Sequence, residues 1–473
     1  MRRTKIVVTL GPDTREPDAL RALLEAGADV VRLNFAHATV EEHKRAAATA
    51  RRQAKDLGRV VGVLVDLPGP KMRTGSIVDN EVRLEPDQPF ILTAPSEFEG
   101  DVTRVSTTVD DLPSMVGEAD EIFLADGEIV LRVDKVDSGE VHTTVVRGGV
   151  LRSRKGLHLP QAERRVEAFT ADDEIALGHA LAMEADLVGL SFVRDVDDIR
   201  RCKAALPKRG HRPLIVAKIE TRSALDHLGE IVEEADVVMV ARGDLGIQMP
   251  LRRVPLLQKE IIRVCNEVGV PAITATELLS SMTHSPLPTR AEVTDVANAL
   301  LDGTDAVMLS EETAVGHYPT LAVRQMAEIA EAAESWPRDH APPERRGTRD
   351  DRVSWAVAHA AVEAAEDLNV AAILCPTRSG ATARRVAAFR PRMPILALSP
   401  RQNTLGSVTI YWGVTALPMR EVSGEEARHE EVSVAVTTAR DAGLVRDGQL
   451  VCVVAGAPGP RAGGTDYVRI VRV

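Results

Sequence analysis

Polar residues gather at the C-terminal ends of short apolar runs. Lys218 and Glu220 end the run LIVAKIE, Arg242 and Asp244 follow VVMVA, and Thr274 and Thr276 end PAITAT. Arg32 and Asn34 close VVRLN, Asp66 closes VLVD, and Ser310 and Glu312 follow AVML. In an extended strand, residues two apart point the same way. Glu220 and Asp244 are then carboxylates on neighbouring strands, near enough to share a divalent cation. With water and substrate oxygens they suit magnesium or manganese. Lys218, Arg32 and Arg73 supply positive charge for a phosphate or a developing oxyanion. A metal, a basic clamp and little nucleophile chemistry describe phosphoryl transfer. The plainer reading is an ion network that caps the fold. It suits any single pair, but burying six polar strand ends together costs too much without a ligand.

The alternatives thin out on composition. The chain has 473 residues, with 58 Lys and Arg against 70 Asp and Glu, a net charge of −12. Such an acidic chain is a poor binder of nucleic acid or anionic membrane, so a phosphate ligand must meet a local basic cluster. Cys202, Cys265, Cys375 and Cys452 form no zinc spacing and no CxxC pair. They read as small buried apolar residues. No run reaches the roughly 18 apolar residues of a membrane span, and a reducing cytoplasm is expected. No Walker A motif is present, which excludes a P-loop kinase.

The elements that position these residues recur along the first 335 positions. Strands are expected at 4–10, 29–35, 60–67, 186–192, 214–220, 237–243, 271–277 and 306–312, each nearly continuous in apolar residues, as strands covered on both faces are. Helical periodicity fills most gaps, as in 41–57, 254–268 and 289–300. Eight such units indicate an α/β fold of the (β/α)8 TIM-barrel kind. An open doubly wound sheet would want a GxGxxG after its first strand, and there is none. The catalytic barrel is then 1–69 and 155–335. Between them, 70–154 alternates polar and apolar residues with turns at Asp126-Gly127 and Ser138-Gly139. This is an inserted all-β, β-barrel lid domain, placed over the end of the barrel where chemistry occurs. A Pro- and charge-rich linker follows Ser335, then a C-terminal α/β domain at 350–473. There, Thr377, Arg378, Ser379, Gly380 and Thr382 lie between a strand and a helix beginning near Ala381. Hydroxyls and N–H groups at a helix N-terminus suit an anion, although plain N-capping by Thr377 or Ser379 accounts for part of the pattern.

The chain resembles the pyruvate kinase family through TKIVVTLGP, VVRLNFAH, DLPGPKMRTG, SRKGLHLP, KIE, VMVARGDLG and VPLLQKEII. The long block TRAEVTDVANALLDGTDAVMLSEETAVGHYP and then TRSGATARRVAAFRP extend it. The resemblance implies transfer of the phosphoryl group of phosphoenolpyruvate to ADP, giving pyruvate and ATP. It assigns the divalent metal to Glu220 and Asp244. Lys218 would stabilise the transferring phosphoryl group and the enolate oxygen, and Arg73 would clamp the phosphate. Thr276 would deliver a proton, directly or through a water, and Gly243 and Asp244 would meet the substrate carboxylate. Arg32, Asn34, His37 and Lys155 look like nucleotide-side contacts. An allosteric phosphorylated metabolite at the Thr377–Thr382 loop, closed over by the later loop APGPRAGGT, and a homotetramer also follow.

The sequence departs from the family pattern at Ala36, Leu67, Lys71, Glu277 and Glu311. Many relatives hold a potassium ion with an Asn, a Ser, an Asp and a Thr backbone oxygen. Here Asn34 and Asp66 remain, Ala36 replaces the Ser, and Leu67 keeps only its carbonyl. Lys71 brings a tethered positive charge to the same place, so potassium is expected to be unnecessary. A carbon–carbon lyase acting on pyruvate would share the metal pair but need neither lid nor phosphate loop. A catalytically silent regulatory homologue would lack Lys218, Glu220 or Asp244, and all three are present.

Overall fold

The computed structural model describes residues 2–70, 72–125, 127–161, 167–208, 210–336, 351–422, 427–456 and 464–473. Lys71, most of the linker and residues 457–463 of the later C-terminal loop lie outside them.

Eight parallel strands close a barrel. They are β1 (Lys5–Thr9), β2 (Val30–Asn34), β3 (Gly62–Asp66), β12 (Leu187–Leu190), β13 (Leu214–Ile219), β14 (Val237–Ala241), β15 (Ala272–Ala275) and β16 (Ala306–Leu309), and β16 pairs back onto β1. All eight fall within the expected runs. Alternation along each strand divides the core. Ile6, Val8, Val63 and Val65 pack outward against the helices. Val7, Leu64, Val216 and Met239 fill the interior. That interior continues into the C-terminal domain through Val408, Ile410 and Tyr411, so this domain plugs the barrel's lower end and leaves the upper end for the site.

The strands β4 (Glu81–Leu84), β5 (Pro89–Thr93), β6 (Arg104–Ser106), β7 (Glu121–Leu124), β8 (Ile129–Asp137), β9 (Glu140–Arg147), β10 (Gly149–Arg152) and β11 (Leu157–His158) build the insert. It is not one closed barrel among the described residues. It is a six-stranded sheet, β11-β7-β8-β9-β5-β6, beside a β10-β4 ribbon. Its pairing also runs past the expected limit at 154, because Leu157 and His158 join β7 and Gly156 bridges Arg73. The C-terminal sheet is β19-β18-β17-β20-β21, made of β17 (Ala372–Pro376), β18 (Ile395–Ser399), β19 (Val414–Pro418), β20 (Leu450–Ala455) and an antiparallel β21 (Tyr467–Arg472).

One carboxylate sits at the seam between barrel and C-terminal domain. Asp186 accepts a hydrogen bond from Val63 N at 2.9 Å, and Arg51 reaches it only at 3.4 Å. It abuts the backbone of Gly406, where a Cβ would come within 2.0 Å of it. Burial, only partly offset by Arg51 and by the Val63 N–H, pushes its pKa up to about 7. A carboxyl raised in the folded state contributes most below its unfolded pKa of ~3.9, and that contribution is lost as pH rises through 7. Asp186→Asn is therefore expected to raise the melting temperature relative to the parent by several degrees more at pH 8 than at pH 5. An equal difference at both pH values would show that Asp186 stays ionised throughout.

Candidate active site

The barrel strands deliver most of the expected residues to one cavity of about 510 Å³ beneath the lid. Arg32, Asn34, His37, Asp66 and Leu67 come from the β2 and β3 ends, and Lys218, Glu220 and Asp244 from β13 and beyond. Arg73 and Lys155 reach it from the lid junction. The two run side by side there, with Thr74 N donating to Lys155 O at 2.8 Å and Arg73 Nη1 to Arg154 O at 2.9 Å.

Lys218 is the hub. Its Nζ lies 2.8 Å from Glu220 Oε1 and 3.4 Å from Asp66 Oδ1, and it donates to Ser191 Oγ at 2.9 Å. Burial alone would lower its pKa, but Asp66 and Glu220 outweigh burial and hold it above the ordinary lysine value, so the ammonium is charged. Asp66 would be raised by burial. Lys218 and Arg32 reverse that and hold it low, with the Arg32 guanidinium at 2.5 and 3.0 Å. Gly189, opposite Asp66 on β12, makes room for this group, since a Cβ there would lie 2.6 Å from Asp66 Oδ1.

Glu220 differs. It is fully buried and accepts from Phe192 N at 2.7 Å. Burial, and next the charge of Asp244, push its pKa up despite Lys218. Asp244 is near enough for its charge to act on Glu220, and two neighbouring carboxylates suit a further positive charge. No group of three or more His, Cys, Asp or Glu side chains among the described residues could hold a metal. A divalent ion here would take Glu220 and Asp244, with its other positions left to water and substrate oxygens, as magnesium commonly does.

Several expected residues have other work. Thr276 and Gly243 do not line this cavity. Thr276 adopts a left-handed φ of 64°, followed by Glu277 at 54°, a strained pair of the sort found at functional sites. This fold-back brings Thr276 Oγ1 to accept from Gly243 N at 2.8 Å, so the Gly243 amide expected for a substrate carboxylate is engaged within the protein. Arg242 is turned away from the mouth, donating to Thr276 O at 2.6 Å and Glu277 O at 3.0 Å and pairing with Asp295 at 2.7 Å. Glu312 accepts from Ser310 N and Leu279 N, and Thr274 Oγ1 donates to Thr304 Oγ1 at 3.0 Å. These three are structural.

Ser191 was not singled out in the sequence, yet it links Lys218 to the Leu67 carbonyl, to which its Oγ donates at 2.9 Å. The rule that found Lys218 and Glu220 also points to it, since Ser191 lies two residues past Gly189 at the end of a barrel strand.

In the C-terminal loop, Thr377 Oγ1 accepts from Gly380 N at 3.0 Å, which closes the turn ahead of the helix Ala381–Ala388. Gly380 is the N-cap, and neither Thr377 nor Ser379 caps the helix with its side chain. Thr382 is buried against Thr465 Oγ1 at 2.9 Å, a hydroxyl also reached by Arg385. Arg378 and Ser379 remain exposed.

Comparison with known proteins agrees with this architecture. Residues 1–323 match the family model described as pyruvate kinase, barrel domain, and 355–471 that of pyruvate kinase, alpha/beta domain. Over 476 residues the chain is 38% identical to the pyruvate kinase of Thermococcus litoralis, covering 100% of this chain and 98% of that one. It is 40% identical to that of Geobacillus stearothermophilus, over 99% of this chain and 80% of the other. The pyruvate kinase of Clostridium acetobutylicum is 36% identical over 99% of both. No helix among the described residues is long and apolar enough to cross a membrane. A closed parallel barrel, a basic and acidic mouth under a β insert, and these matches lead to one assignment: the chain belongs to the pyruvate kinase family of phosphotransferases.

Proposed function

We propose that the chain transfers the phosphoryl group of phosphoenolpyruvate to ADP, with Lys218 as the group that neutralises the moving charge. The observation that carries this reading is the buried Lys218–Glu220–Asp66 cluster opening onto the cavity shared with Arg73 and Asp244. A divalent ion held by Glu220 and Asp244 would supply Lewis-acid charge at the substrate oxygens. Arg73 clamps the phosphate from the lid side. Lys218, fixed by Ser191, holds its charge where the bridging oxygen becomes an enolate oxygen, and that charge counts for most in a dry site. Thr276, oriented by Gly243 N, is the reading for proton delivery, through a water. Arg32, Asn34, His37 and Lys155 form the nucleotide side.

Potassium is not required in this reading. Each of the three groups left for such an ion already has a protein donor, and the second oxygen of Asp66, Oδ1, has the Lys218 ammonium 3.4 Å away as its positive charge. Asn34 Oδ1 accepts from Ala36 N at 3.1 Å, Asp66 Oδ2 from Arg32 and Leu67 O from Ser191. The replacement charge proposed on Lys71 lies outside the described residues. Exposed Arg378 and Ser379 keep an anionic metabolite in view as an effector, with Thr377 and Thr382 as its framework. Exposed Leu251, Leu256, Leu287 and Leu301 on the barrel suit faces for further copies in a homotetramer, which light scattering would read.

One steady-state experiment tests the reading: ATP formation from phosphoenolpyruvate and ADP with magnesium or manganese, in potassium chloride or in tetramethylammonium chloride of equal ionic strength, with and without sugar phosphates and nucleoside monophosphates. Equal rates in both salts are expected, with phosphoenolpyruvate saturation shifted by at least one metabolite. Strong activation by potassium would refute the cation reading, indifference to every metabolite the regulatory one, and absence of ATP the whole.

A further inference from the structure

Asn34 and His37 reach the cavity from a sharply curled loop, and something must hold that loop in shape. His37 N donates back to Asn34 O at 3.1 Å, and Ala38 takes a left-handed φ of 66°, which a residue with a Cβ adopts at a cost. The strand side is tied down by Phe35 N donating to Asp66 O at 3.1 Å. The far side meets His43, one turn into the helix Val40–Asp56. Side chains on a helix lean towards its N-terminus, which brings this imidazole back under the loop. Its ring stacks on Phe35 with centroids 4.8 Å apart and planes 17° apart. Its Nε2 lies 2.7 Å from the His37 carbonyl. His43 is 4% exposed. Burial, opposed by the carbonyls of His37 and Asn34 and helped by Arg15, lowers its pKa, so the ring is neutral at physiological pH. A neutral ring facing a carbonyl must carry its proton on Nε2, which makes that atom the donor.

We infer that His43 is a positioning residue for the nucleotide. Its Nε2–H fixes the His37 carbonyl, and its ring fixes Phe35, so that Asn34 and His37 present their side chains to the cavity already ordered. His43 itself touches no substrate. The inference rests on the reading of Asn34 and His37 as nucleotide-side contacts.

The test varies ADP at saturating phosphoenolpyruvate, and then the reverse, in four variants of the full-length protein. His43→Phe keeps the stacking and removes the donor. Its KM for ADP is expected to rise about tenfold, the value of one buried hydrogen bond, with kcat and the KM for phosphoenolpyruvate little changed. His43→Gln, whose amide nitrogen can occupy the Nε2 position, should restore most of the loss. His43→Asn, whose amide falls short of His37 O, should not, and it serves if the Phe variant folds poorly. His37→Ala separates the two levels of the argument. If His37→Ala raises the KM for ADP and the His43 variants do not, the positioning role fails alone. If His37→Ala leaves that KM unchanged, the nucleotide-side reading fails and the role of His43 with it. Parallel losses in both KM values and in kcat, without rescue by Gln, would make His43 a purely structural residue.

Discussion

Replacing Lys218 by Met is expected to lower ATP formation by on the order of a hundredfold or more, the cost of removing an electrostatic stabiliser from a dry site. Because the charge is needed more in the transition state than in the ground state, the loss should fall on kcat rather than on substrate binding. The substitution has a second consequence. Nζ neutralises Glu220 at 2.8 Å and Asp66 at 3.4 Å, and removing one member of a buried cluster leaves the others uncompensated. Lys218→Met should therefore melt lower than the parent, and added magnesium should restore part of the difference by giving Glu220 another cation. Lys218→Arg separates charge from position. It keeps the positive charge, so it should fold well, but its longer planar fork cannot occupy the ammonium's place between Ser191, Asp66 and Glu220. Its turnover should stay low. Turnover of Lys218→Arg near that of the parent would show that any local cation suffices and would remove the specific role of Nζ.

The strands that carry this lysine were legible in the sequence for a simple reason. Each barrel strand is covered on both faces, so it is written as an unbroken apolar run, and polar residues appear only where the run leaves the core. The insert was legible by the opposite signal, alternation. Legibility ended where loops fold back over strand ends. Residue spacing put Arg242, Thr274 and Glu312 at the mouth with Lys218 and Glu220. It carried no information that the chain after β15 reverses through two left-handed residues, Thr276 and Glu277, and offers its carbonyls to Arg242. Nor could spacing link Ser191 to Leu67, or His43 to His37. Such bonds join elements whose approach is set by barrel closure and helix packing, not by local pattern. The candidate metal pair was legible because its two carboxylates follow the ends of adjacent strands, Glu220 directly after β13 and Asp244 in the short helix Arg242–Gln248 that follows β14.

That pair carries the second large effect. Glu220→Gln and Asp244→Asn should each raise the magnesium concentration needed for half-maximal activity. Losing one unit of charge about 4 Å from a cation costs roughly 4 kcal/mol at an effective dielectric near 20. Part of this returns through the amide oxygen, which still coordinates, leaving about a hundredfold in affinity. The two variants should differ in stability. Glu220 is buried and takes part in the Lys218 cluster and the Phe192 amide bond. Its neutralisation relieves a carboxyl that burial and Asp244 disfavour, but it deprives Lys218 of its nearest partner, so the melting temperature should move little. Asp244→Asn removes the charge that raises Glu220 and leaves Lys218 paired with Glu220 and Asp66, so its metal-free stability should fall less with rising pH than the parent's. Adding magnesium should then stabilise the parent more than either variant, because a ligand stabilises in proportion to how tightly the folded state holds it. Melting curves across a magnesium titration read this without reference to turnover. If both variants shifted with magnesium as the parent does, the divalent ion would have to bind away from Glu220 and Asp244.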